Sequence, residues 1–218
     1  MTHEINQINQ IDEINEISEP NAGVPSLGDL LGTAAAQAVP VVRAIPDAAL
    51  ARPTPCAEYD VKALVNHLFH VVVEFRKLAA KKPADFTSTP DRVGAGDDWR
   101  DGFAEAAARL VEAWSQPGAE DGTTGAMELP ARTVGCLVLL DLTVHIWDLA
   151  RATGQEYRPH PAGTGVLSTL ADTVAEMAPT ARQMGMFAEP LPAPKGANTF
   201  DRLLAETGRD PHWTPTER

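Results

Sequence analysis

The stretch Asp141-Leu142-Thr143-Val144-His145-Ile146-Trp147-Asp148-Leu149-Ala150-Arg151-Ala152-Thr153-Gly154 decides how this chain is read. At about 100° per residue on an α-helix, Asp141, His145 and Asp148 fall within about 60° of one another. Leu137, Val138, Leu142, Leu149 and Ala152 frame them, so two carboxylates and an imidazole share one side of an apolar helix. Taking an unpaired carboxylate out of water costs on the order of several kcal/mol. An ion pair, a hydrogen-bonded network and a bound metal cation each meet that requirement. Trp147 lies about 160° round from His145 and is expected to pack another helix.

Outward from this stretch the pattern is helical and punctuated by Pro and Gly. A first helix is expected over about Leu27 to Ile45, with a kink or break at Pro40. Asp60 is an expected N-cap for a second helix of about Val61 to Ala80, after the loop Arg52 to Tyr59. A third is expected over about Trp99 to Trp114. Gly118 to Pro130 reads as loop with a short extended piece at Met127 to Leu129. The decisive helix covers about Thr133 to Ala152, closed by Gly154. A fifth, about Gly163 to Met177, is expected to stop before Pro179, and a short last helix covers about Thr199 to Thr207. Long helices joined by loops, with no alternating strands, predict an all-α antiparallel bundle. Metal and cofactor sites in such bundles are built from side chains on facing helices.

Residues 1–23 read differently. Ile5, Ile8, Ile11, Ile14 and Ile17 recur every third position among Asn, Gln and five acidic residues, without Lys or Arg. A period of three drifts round a helix and makes no single stripe. This acidic extension is expected to be disordered or weakly ordered, leaving residues 24–218 as one helical-bundle domain.

Composition narrows the function. The net charge of −12 over 218 residues argues against a nucleic-acid partner, since phosphate backbones need clustered cations and the densest cluster, Lys77, Lys81 and Lys82, reads as a helix end. The longest apolar run, Val134 to Leu140, is short of the roughly 20 residues of a membrane span, and no membrane partner is expected. Cys56 and Cys136 have no CxxC partner, which excludes a zinc knuckle. Cys136 lies in an apolar helix and reads as core, whereas Cys56 sits in a loop before a helix, where it either packs or presents a thiol. A cytoplasmic location is the default expectation.

The second helix carries an apolar stripe of Leu64, Leu68, Val71, Val72, Phe75 and Leu78, with His67 at its edge. Glu74 lies close to the line of His67, and His70 is expected to point further toward solvent. Asp141 and His145, at i and i+4, can converge on one cation, and a facing helix could add His67. Two imidazole nitrogens and a carboxylate oxygen suit Zn²⁺, with Fe, Ni or Mn compatible by ligand type. Three protein ligands leave a coordination position open. Asp148 either orients the imidazole of His145 or pairs locally with Arg151.

Three segments carry a family resemblance: Thr54 to Val61, Leu64 to Leu68 and Asp141 to Gly154. They resemble the actinobacterial metal-binding proteins of the DinB-like superfamily. Within it, they are most similar to proteins related to the amino-terminal domain of mycothiol-dependent maleylpyruvate isomerase. The carboxy-terminal Arg202 to Pro211 is also typical of the group. The resemblance implies a DinB-like four-helix bundle with additional short helices, and a divalent metal, commonly zinc, on His67, Asp141 and His145. The isomerase itself is similar in spacing but carries Glu where this chain has Asp141. The open metal position would take the sulfur of a low-molecular-weight thiol such as mycothiol. That implies a thiol-dependent transferase or isomerase acting on a small organic electrophile, with Asp148, Glu74 and His70 as candidate catalytic proton carriers. The readings from other classes are a non-catalytic bundle that binds a metal or small ligand, and a hydrolase using bound water. The expected partners are a small-molecule substrate, the thiol and a second copy in a homodimer.

Overall fold

A computed structural model describes residues 24–96, 98–159 and 165–215. The acidic Ile-repeat extension lies outside the described residues. Within them, helices α1 (Leu27–Arg43), α2 (Val61–Ala79), α3 (Trp99–Trp114), α4 (Ala131–Thr153), α5 (Val166–Gln183) and α6 (Thr199–Glu206) follow in order. A 3-10 turn at Asp47–Ala49 and a two-stranded antiparallel ribbon, β1 (Thr123–Thr124) with β2 (Leu129–Pro130), complete the elements. The ribbon puts extended backbone on both sides of the turn, a wider piece than the expected Met127 to Leu129.

The helix starts obey local chemistry. Ser26 caps α1 by accepting from the Asp29 N–H, and Asp60 caps α2 by accepting from the Ala63 N–H at 2.8 Å. α4 closes on Gly154 in the left-handed conformation, φ 75°, as its sequence implies. One proline, Pro179, behaves otherwise than expected. α5 runs through it to Gln183, as α1 runs through Pro40 to Arg43. Both rings are exposed, and Val41 and Val42 in α1, like Ala178 and Ala181 in α5, carry the buried stripe past them. Burial of that stripe outweighs the single backbone bond each proline forfeits.

α1 packs on α3 and α4, and α2 on the same two, so α1 and α2 occupy one diagonal of a four-helix bundle and α3 and α4 the other. The fold is all-α and DinB-like. α5 and α6 pack on each other, and α5 adds to the outside of α4. α4 is therefore covered on nearly every side, which is why it is apolar round most of its circumference. By length and composition α4 could cross a membrane, but 83% of that window is buried inside the bundle. Trp147 packs as expected, edge-on to Phe200 of α6. Cys136 is buried in the core.

The connection from α2 to α3 lies back over α2. Asn66 Oδ1 accepts from the N–H groups of Arg92 and Val93, and Glu74 Oε2 from the N–H of Asp85. Phe86 thereby reaches the rings of His70 and Phe75, with centroids 5.7 and 5.6 Å away. His70 is buried, not turned to solvent as the helical wheel of α2 alone suggests.

Candidate metal centre

The contact between α2 and α4 brings His67 and His145 together, ring centroids 5.1 Å apart and nearly perpendicular. Asp141, one turn before His145, completes a cluster in which one ligand atom from each of His67, Asp141 and His145 lies within 4.8 Å of the others. His145 Nε2 stands 3.6 Å from Asp141 Oδ1. A tetrahedral cation about 2.0–2.1 Å from each of two ligands holds them roughly 3.4 Å apart. The pair is near that separation.

The other ring nitrogen of His145 is already engaged. Nδ1 lies 3.0 Å from Oδ2 of Asp148, whose side chain is wholly buried. A carboxylate offers no proton, so the shared hydrogen belongs to Nδ1, and Nε2 is the ring nitrogen left on the side of Asp141. This carboxylate–imidazole arrangement is the support that metal-ligating histidines use. Of the two contacts the sequence offered Asp148, the structure shows the one with His145. Arg151 instead donates to the carbonyl of Trp213, and the second partner of Asp148 is Arg209, whose Nη2 lies 3.4 Å from Oδ2.

The electrostatics of His67 suit ligation. Burial, with the neighbouring charges of His145, His70 and Arg209, holds His67 down at about 4. Its imidazole is neutral at pH 7 and needs to lose no proton to bind a cation. Burial pushes the Asp141 carboxyl up, with His145 and Arg209 pulling the other way. Among the described residues Asp141 accepts no conventional hydrogen bond, leaving its oxygens unspent. The donor set thus fits a divalent cation.

A pH experiment follows from His67. An unfolded histidine titrates near 6.5, against about 4 in the fold, so the folded state binds fewer protons between those values. The contribution of His67 to stability is then complete above about pH 6.5 and lost as pH falls toward 4. In urea unfolding of metal-free protein, the midpoint should drop across that interval, and His67→Gln should flatten the drop. An unchanged slope in the variant would rule the account out.

Around the trio stand residues that sequence reasoning did not assign. Tyr59 stacks on His67 at 5.1 Å and meets His145 edge-on at 6.4 Å. It is placed by a loop closed at Pro53 and Asp60, in which the buried Thr54 hydroxyl donates toward the carbonyls of Cys56 and Tyr59. The same loop puts Cys56 beside the far edge of the His145 ring. The ligand atoms of Cys56, His145 and Asp148 also lie within 4.8 Å of one another. Burial pushes the Cys56 thiol up, partly offset by Arg209. Tyr59 is signalled only by its place in the Thr54 to Val61 segment, and Arg209 only by its place in the Arg202 to Pro211 segment.

The remaining candidates sit further along α2. His70, one turn beyond His67, is buried against Phe86 with no hydrogen-bond partner for Nε2. Glu74, a turn further, accepts from Lys77 Nζ at 2.7 and 2.8 Å as well as from the Asp85 amide. The Asp85 contact binds the α2–α3 connection to the helix.

Residues 31–150 match the family described as the mycothiol maleylpyruvate isomerase N-terminal domain. Two Mycobacterium tuberculosis proteins are similar: the uncharacterized protein Rv0738 of strain H37Rv and the uncharacterized protein MT0763 of strain CDC 1551. Each is 31% identical over 166 residues, covering 73% of this chain and 85% of the relative. No solved structure matches. The match spans α2 and most of α4, hence His67, Asp141, His145 and Asp148, and on it the chain belongs to the mycothiol maleylpyruvate isomerase N-terminal domain family.

Proposed function

We propose that this protein is a metal-dependent, thiol-dependent transferase or isomerase acting on a small organic electrophile. His67, Asp141 and His145 hold a divalent cation, zinc by ligand type. The observation that carries this reading is the pairing of His145 Nδ1 with buried Asp148, which leaves Nε2 facing Asp141 in the same cluster as His67. Family membership supports the thiol, mycothiol or a close analogue, and a thiol partner fits a reducing cytoplasm. A cation bound there supplies a Lewis acid that deprotonates a coordinating thiol at neutral pH.

The chain's own groups do the rest. Tyr59 covers His67 and narrows access to the trio. Asp148 keeps the proton of His145 on Nδ1 throughout, so Nε2 remains a ligand. Of the three expected proton carriers, His70 has an unspent ring nitrogen and stands one helical turn from His67, suited to taking the thiol proton away. Asp148 orients and Glu74 fastens the α2–α3 connection.

The test is consumption of an aryl halide or enone by the zinc-loaded protein, with and without a low-molecular-weight thiol, before and after chelation. Consumption that needs both metal and thiol is the expected result. Turnover of an ester without thiol would favour hydrolysis by bound water. Stoichiometric metal without turnover in any arm would leave a non-catalytic binding bundle.

A further inference from the structure

The family match ends at residue 150, yet the candidate centre receives a side chain from residue 209. α6 is halted by Gly208 at φ 79°; the N–H of Gly208 donates to the carbonyl of Ala205 at 3.1 Å and that of Arg209 to Leu204 at 2.8 Å. This paired pattern is the Schellman stop. A Cβ on Gly208 would come 2.6 Å from that of Ala188, so glycine is required both by φ and by space. Arg209 is the first residue after the stop and turns inward, 8% exposed.

Its guanidinium bridges the tail to the centre. Nη1 donates to the Thr207 carbonyl at 2.7 Å, while Nη2 lies 3.4 Å from both Asp148 Oδ2 and His145 Nδ1. Asp148 is 0% exposed and its Oδ1 has no partner. Apart from the imidazole, Arg209 is its one recorded partner among the described residues. The guanidinium also occupies the side where Cys56, His145 and Asp148 converge, which disfavours a second cation there.

We propose that Arg209 is a positioning residue of the metal centre. Acting through Asp148, it holds the carboxylate in the rotamer that grips His145 Nδ1 and so aims Nε2 at the cation. This rests on the metal reading above. The competing role is a plain fastening of the tail, and Arg151, which holds the Trp213 carbonyl without touching the trio, supplies the comparison.

The experiment uses the full chain and measures Zn²⁺ affinity by chelator competition, with the visible absorption of the Co²⁺ form as a report on ligand geometry. Arg209→Gln is expected to lose roughly tenfold in affinity and to shift the Co²⁺ band, as removal of groups supporting a ligand does. Arg209→Lys keeps the charge without the fork and should fall between parent and Arg209→Gln. Arg151→Gln should lower the thermal midpoint and leave both metal readouts at parent values. Parent affinity and band in Arg209→Gln would overturn the proposal, as would an equal loss in Arg151→Gln. Should Arg209→Gln not fold, Arg209→Lys decides: a shifted band upholds the proposal and a parent band overturns it. A parent chain that takes up neither ion overturns the metal reading and this one together, whereas a parent that binds normally confines any failure to Arg209.

Discussion

His145→Ala is expected to abolish stoichiometric zinc binding, lowering affinity by about 100-fold or more, since loss of a supporting partner alone already costs roughly 10–100-fold. The variant removes one of the three proposed ligands and also the ring that bridges Asp141 to Asp148. Two effects should therefore appear together. Metal content after dialysis falls to background, and the metal-free protein loses about 1–3 kcal/mol because the buried Asp148 carboxylate forfeits a hydrogen bond. Asp141→Ala separates them. Asp141 accepts no conventional hydrogen bond among the described residues and burial disfavours its charge, so metal is lost while metal-free stability holds or rises. If His145→Ala retains one zinc per chain, the trio is not the site.

Asp148→Ala is expected to destabilise the fold by about 3–5 kcal/mol, the cost of removing one partner from a buried ion pair. The reason lies less in the lost contact than in what stays behind. Arg209 remains buried with a guanidinium charge and, among the described residues, no anionic partner, only the Thr207 carbonyl and the neighbouring His145 Nδ1. A loss of that size consumes a large part of the stability of a typical domain. Urea unfolding at pH 7 measures it, and Asp148→Asn, which keeps an acceptor for both partners, should lose much less. A cost below about 1 kcal/mol for Asp148→Ala would mean that Arg209 is not confined as described.

Local periodicity made much of the architecture legible. The spacing of Leu64, Leu68, Val71, Val72, Phe75 and Leu78 and the Asp60 cap bounded α2, and the range expected for α3 coincides with the observed one. Pro179 misled because Ala178 and Ala181 are buried on either side of its exposed ring, and packing of that face carries α5 past a local stop signal. His70 misled for a related reason. A helical wheel treats the face away from the core as solvent, but Asn66 and Glu74 draw the α2–α3 connection and Phe86 over that face.

By itself the sequence determined which residues share a helix face, and therefore that Asp141 and His145 stand one turn apart with Asp148 following. It also offered His67 as a third candidate ligand, from its place at the edge of the α2 stripe and from the family resemblance. Only the tertiary structure decided that Asp148 serves His145 and not Arg151, that Tyr59 lies on His67, and that Arg209 closes the far side of the centre. The division has a physical origin. Face-sharing follows from the 3.6-residue turn and needs no knowledge beyond a few neighbours. The pairing of Asp148 with Arg209, 61 positions away, depends on how α4 and α6 pack and on a glycine stop that aims one side chain inward.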